Sequence, residues 1–224
     1  MKVAYVCAAA FAVGILASAP GHAGSITVQN YSFETLTSSG LFVACGGSCA
    51  YSDGVGIPDW STTGFATGQW ITGGYAGNPP AFDGNVLAYS NGGTISQTVG
   101  PTAVDGTTYT LQVEVLHRTD YPIAATVQLE IGGSVVATSS QPDAGAGTWN
   151  DWVATYTATG ADAGKPLTIL LSSSGAQGDF DDVRLSASGV PEPATWTMML
   201  TGFGAVSGAL MLRRGKARAA NASA

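Results

Sequence analysis

Between Tyr109 and His117 the chain alternates apolar and polar residues at every second position, and it does so again from Ala125 to Ile131. A period of two marks a strand with one face buried. Tyr109, Leu111, Val113 and Val115 therefore face a core, as do Ala125, Val127, Leu129 and Ile131. Gln112, Glu114, Leu116 and Arg118 point the other way in the first run; Thr126, Gln128 and Glu130 do so in the second. Gly132-Gly133 makes a two-residue hairpin turn before Ser134–Thr138. Shorter runs at 25–28, 86–89, 94–99, 152–157, 167–172 and 182–185 read as strands separated by Gly, Asn, Asp and Pro. Between the two ends of the chain no stretch carries a 3.6-residue apolar stripe. The pattern predicts an all-β antiparallel β-sandwich over residues 24–189, long enough to bury a core. Pairing of the runs 109–117 and 125–131 would gather Gln112, Glu114, Arg118, Gln128 and Glu130 on one polar face.

Both ends depart from this pattern. Residues 1–23 begin with Lys2, run apolar from Val3 to Leu16 and finish in small residues, the composition of a signal peptide cleaved after Ala23. From Pro193 to Leu212 there is no charge, a length that crosses about 30 Å of hydrocarbon as one helix. Trp196 sits at one end of it, and Arg213, Arg214, Lys216 and Arg218 at the other. That asymmetry predicts a single transmembrane helix with the β domain outside and the basic cluster cytoplasmic. The last six residues, 219–224, are expected to be a disordered tail.

Removing the ends changes the charge. Three basic residues (Arg118, Lys165, Arg184) stand against fourteen acidic ones between Gly24 and Val190, an excess of eleven negative charges. Such a surface repels phosphate backbones, which excludes nucleic acid as a partner. With Cys7 lost to the signal peptide, Cys45 and Cys49 remain as a pair in Cys-Gly-Gly-Ser-Cys. In an oxidising compartment this spacing predicts a small disulfide-closed loop.

The tail Val-Pro-Glu-Pro at 190–193, with Trp196, the apolar span and the arginine cluster behind it, resembles the PEP-CTERM sorting signals of Gram-negative bacteria. The resemblance covers residues 190–218. It implies that an exosortase-type membrane peptidase recognises Pro191, Glu192 and Pro193 as a processing motif. The precursor would be anchored in the inner membrane and its domain then delivered to the cell surface or extracellular matrix. Within the domain, a different likeness runs through Asn30–Glu34, Ile57–Trp60, Asp83–Asn85, Ile95–Val99, Tyr109–Leu111, Trp152 and Phe180–Leu185. These landmarks resemble carbohydrate-binding modules with a galactose-binding-like jelly-roll fold; the glycine-rich segment 36–56 is foreign to them. This resemblance implies a structural calcium between Glu34 and Asp181, with no other cofactor, and extracellular polysaccharide as partner.

A sugar site needs an aromatic platform beside amide and carboxylate groups. Trp60 and Trp152 lie beside or within strand patterns and are expected in the core. Trp70, Tyr75, Phe82 and Tyr121, in irregular Gly/Pro-rich stretches, are the platform candidates, with Gln112, Glu114, Arg118, Gln128 and Glu130 beside them. The mature chain has one histidine, His117, and no nucleophile-elbow motif or zinc-ligand set. The expectation from sequence is a non-catalytic exported protein that binds glycan, with a purely structural matrix or adhesion protein as the rival and, behind both, a glycoside-active enzyme using the paired carboxylates Glu114 and Glu130.

Overall fold

The computed structural model describes residues 23–64 and 66–189. The expected signal helix, processing motif at Pro191, Glu192 and Pro193, transmembrane helix and disordered tail lie outside the described residues. Among the described residues no helix is long and apolar enough to cross a membrane.

Among the described residues, thirteen strands form two antiparallel sheets. The larger runs β11 (Thr148–Thr157), β8 (Thr108–His117), β13 (Gly178–Ser188), β6 (Leu87–Ser90), β5 (Thr67–Ile71), β3 (Cys49–Tyr51) and β2 (Phe42–Ala44), while β1 (Gly24–Ile26) pairs with the far end of β13. The smaller runs β10 (Ser134–Thr138), β9 (Ala125–Ile131), β12 (Pro166–Ser173), β7 (Thr94–Thr102) and β4 (Ser61–Thr63). The sandwich fold expected from the alternation is present. Tyr109, Leu111, Val113 and Val115 from one sheet meet Val127, Leu129 and Ile131 from the other in a single core, where Trp60 and Trp152 also lie.

One expected pairing is corrected. β8 and β9 do not pair: β8 lies between β11 and β13, and β9 lies between β10 and β12 in the opposite sheet. Their apolar faces meet across the core, so their polar faces point to opposite sides of the molecule. Gln128 and Glu130 therefore never join Gln112, Glu114 and Arg118. The alternating pattern is the same whether two strands are neighbours or stand across a core, and here the 118–124 connection crosses between sheets.

The glycine-rich segment 36–56, read as foreign to the domain pattern, folds as β2 and β3 and extends the larger sheet beyond β5. Trp70, expected in an irregular stretch, is on β5 with its side chain 5% exposed. A β-bulge in β13 sets Asp181 opposite Glu114 and Arg184 opposite Gln112, with Asp182 at φ 44° as the extra residue. The bulge keeps Val183 and Leu185 in the core while Asp181 and Arg184 stay on the outer face.

Candidate active site

The outer face of the larger sheet should be wet, yet part of it is covered. Trp70, Ala81, Leu87, Tyr89 and Leu116 form a second buried apolar cluster, with Trp149 packed against it. Asp179 lies under this cover. It stands on β13 opposite Tyr89 of β6 on one side and Leu116 of β8 on the other. Its side chain is fully buried. Oδ1 accepts a hydrogen bond from Gln177 Nε2 at 2.7 Å, while Oδ2 accepts none within the protein. Burial pushes this carboxyl up to about 7, outweighing the Gln177 hydrogen bond and the nearby Arg118 charge, which both pull it down.

Arg118 cannot give Asp179 its full charge because it is already paired. Its guanidinium donates from Nε and Nη2 to the two oxygens of Asp120, at 2.8 and 2.6 Å. It is sandwiched between the rings of Trp70 and Tyr121, 4.6 and 4.9 Å from their centroids. Nη1 donates to Gln177 Oε1 at 2.6 Å, so one amide links the cation to the buried acid. Asn78 Nδ2 donates to Asp120 Oδ1 at 3.1 Å. The Arg118 hydrogen bonds hold the Asp120 carboxyl below the usual range.

Above this network opens a pocket of about 330 Å³. Trp70, Tyr75, Tyr89, Arg118 and Gln177 line it, and the disulfide-closed loop with Tyr51 borders it. That volume lies near the lower end for small-molecule sites and is too small to enclose a polymer. Tyr89 donates from its hydroxyl to the Ser52 carbonyl at 2.6 Å, and burial raises its pKa well above the ordinary tyrosine value. The expected disulfide is present between Cys45 and Cys49.

Of the residues singled out from sequence, Trp70, Tyr75 and Arg118 come together here, with Tyr121 stacked on the far side of Arg118. Phe82, half exposed, instead meets Trp149 edge to face at 6.1 Å. Gln112 and Glu114 lie farther along the same sheet face in a separate charge cluster: Arg184 reaches Glu114 and Asp151, each at 3.3 Å, and Gln112 donates to Asp151 at 2.9 Å. Burial raises the Glu114 pKa, with Asp151 adding to the effect and Arg184 opposing it. Sequence reasoning missed Asp179 and Gln177. The available signal was the alternation Asp179-Phe180-Asp181, which sets Asp179 on the face opposite Phe180.

Glu34 and Asp181 do converge, on the loop 82–86. Glu34 Oε1 accepts from the Asn85 and Val86 amides, both at 2.7 Å, and Asp181 Oδ2 accepts from Phe82 and Asp83, at 2.8 and 2.9 Å. Burial pushes Asp181 up to about 7, against three backbone N–H groups that favour its charged form. Among the described residues no three His, Cys, Asp or Glu side chains gather as a metal centre would.

The fold and the pocket define a two-sheet β-sandwich with an aromatic-lined pocket and a buried acid on the outer face of its larger sheet. The chain belongs to the HpiC1-like cyclase family: the family model for HpiC1 cyclase matches residues 24–186. This membership corrects the expectation of a non-catalytic protein. That expectation rested on a single histidine, His117, with no nucleophile-elbow motif or zinc-ligand set beside it.

Among solved structures, the Stig cyclase Fisc from Fischerella sp. TAU, in complex with (3Z)-3-(1-methyl-2-pyrrolidinylidene)-3H-indole, aligns with a TM-score of 0.60 at 22% identity, covering 75% of this chain and 100% of that one. A Fischerella sp. TAU cyclase in complex with 4-(1H-indol-3-yl)butan-2-one aligns with a TM-score of 0.57 at 21% identity, with 75% and 100% covered. At these identities the likeness speaks to the fold. The xylan-binding domain of a Paenibacillus barcinonensis protein aligns more loosely, with a TM-score of 0.44 at 14% identity over 78% of this chain and 100% of that one, and carries no argument. No curated protein matches the chain.

Proposed function

We propose that this chain is an exported cyclase that closes a ring in a small, flat aromatic substrate by proton transfer from Asp179. One observation carries the reading: a fully buried carboxyl with a pKa of about 7 and an unbonded oxygen is hydrogen-bonded to Gln177, which lines an aromatic pocket. A general acid works best with its pKa near the operating pH. The Asp179 proton adds to a carbon–carbon double bond of the substrate. The resulting cation is met by the π faces of Trp70 and Tyr75. A nucleophilic carbon of the same molecule closes the ring, and loss of a proton to the Asp179 carboxylate restores the acid. The net change is an isomerisation, with one proton given and one returned. Gln177 both lines the pocket and holds Asp179 Oδ1, so it is the side chain across which acid and substrate meet. The indole ligands of the Fischerella cyclases support an indole ring as the flat group.

The test is turnover of an indole bearing a pendant alkene in D₂O. The cyclised product should carry one deuterium, Asp179→Asn should abolish turnover, and ligand binding should persist. Turnover that survives Asp179→Asn would refute the assignment. A second reading keeps extracellular polysaccharide as partner, because the pocket joins aromatic rings to the Asn91 amide, Asp53 carboxyl and Arg118 guanidinium. Saturable glycan binding lost in Trp70→Ala would favour it.

Export belongs to the same proposal. Sorting by an exosortase at Pro191, Glu192 and Pro193, after signal cleavage at Ala23, would leave a mature chain from Gly24 at the cell surface or in the extracellular matrix. Mass spectrometry of the mature protein with and without the peptidase tests this. Calcium enters as a structural ion. The Glu34 and Asp181 carboxylates are hard oxygen donors held against the same loop, 82–86, and loop carbonyls would supply the remainder of its six to eight ligands.

A further inference from the structure

The pocket has two kinds of wall. On one side Arg118 is held by both oxygens of Asp120 and by two aromatic rings, so that side is fixed by side-chain bonds. On the other side stands the hairpin Phe42–Tyr51, from which Cys45, Cys49 and Tyr51 line the pocket. The returning arm of this hairpin, Ser48 to Ser52, is built to sit close against β5 and the turn that follows it. A Cβ on Gly68 would lie 2.0 Å from the Ser52 carbonyl oxygen, and one on Gly73 would lie 1.3 Å from that of Ser48. Ser52 exchanges hydrogen bonds with the Gln69 backbone through its amide and its hydroxyl, at 2.8 and 3.0 Å.

The tip is different. Cys45, Gly46 and Gly47 take φ values of 52°, 67° and 97°, three left-handed residues in a row. For Cys45 this conformation is uphill, and the bond to buried Cys49 holds it there.

We infer that this disulfide-closed hairpin is the wall that sets which ligands the pocket accepts, passing a bicyclic ring and rejecting a wider one while Cys45 and Cys49 are joined. The inference rests on the reading of the pocket as a ligand site. A dithiol reductant opens the wall by thiol–disulfide exchange: the Cys45–Cys49 bond takes up two electrons and two protons, and the reductant becomes a cyclic disulfide. Cys45 then relaxes out of its left-handed conformation while the returning arm, Ser48 to Ser52, stays docked on β5 and the turn after it.

The experiment compares the oxidised full chain with Cys45→Ser/Cys49→Ser, and with the native chain treated with dithiothreitol should the double variant not fold. Without any ligand, acrylamide quenching of Trp70 is read as the difference between each chain and its Trp70→Phe counterpart; opening the wall should raise it several-fold. With ligand, the oxidised chain should prefer 4-(1H-indol-3-yl)butan-2-one over the tricyclic carbazole analogue by about tenfold, and opening should remove the preference. Trp70 equally shielded in both forms, or an unchanged preference, overturns the wall. If neither ketone binds the oxidised chain, the ligand reading of the pocket falls, and the quenching decides the wall by itself.

Discussion

Replacing Asp179 with Asn should change how stability depends on pH, in a way that isolates this carboxyl. In the unfolded chain an aspartate titrates near its model value of 3.8, whereas in the fold burial pushes Asp179 up to about 7. Between those values the folded state holds a proton that the unfolded state has released, so stability falls as pH rises. The contribution is fully present below about 3.8 and is lost by the time the pH passes about 7. From pH 5 to pH 7 this spans two units at about 1.4 kcal/mol each, or about 3 kcal/mol. Asp179→Asn keeps the shape and the oxygen that Gln177 binds but cannot ionise. It also puts an amide N–H where Oδ2 has no partner, a penalty of about 1–3 kcal/mol that is the same at every pH. The double difference removes that constant: the stability of the variant relative to the native chain should rise by about 3 kcal/mol between pH 5 and pH 8. Urea unfolding at the two pH values measures it. Asp181 has a similarly raised pKa but is present in both proteins, so it cancels as well. A double difference near zero would mean that Asp179 ionises normally in the fold, and the proposed acid would be lost with it.

Arg118→Ala should destabilise the domain by about 2–3 kcal/mol, because it strands Asp120 and strips a guanidinium from between Trp70 and Tyr121. It also removes a positive charge that pulls the Asp179 pKa down, so the pH-dependent loss of stability should extend to higher pH in urea melts. Gly68→Ala should cost about 2–3 kcal/mol, since its Cβ would lie 2.0 Å from the backbone oxygen of Ser52 and neither strand has a flexible end to yield. Equilibrium denaturation reads this directly, and an unchanged midpoint would contradict the close docking of β3 on β5. Calcium should raise the melting temperature of the native chain, and Glu34→Gln should blunt the rise; a temperature indifferent to both calcium and chelator removes the structural ion.

The amino-acid pattern alone determined which face of each long strand is buried. Leu111, Val113, Leu129 and Ile131 lie in the core as alternation requires, because a side chain's face follows from backbone geometry within its own strand. The Cys45–Cys49 bond was legible for a similarly local reason, since four residues of separation and an even count leave little choice. Which strand lies beside which is not a local property. Alternation is satisfied whether β8 and β9 are neighbours or face each other across the core, and only the packing of all thirteen strands assigned them to different sheets. The site followed the same division. Trp70, Tyr75 and Arg118 could be picked out by residue type, whereas Asp179 reads in sequence as one more acid in an acidic domain. Its altered chemistry comes from burial, and that burial requires Trp70, Tyr89 and Leu116 to converge over it from three other strands. Desolvation is a sum over distant neighbours, so only the tertiary structure could decide it.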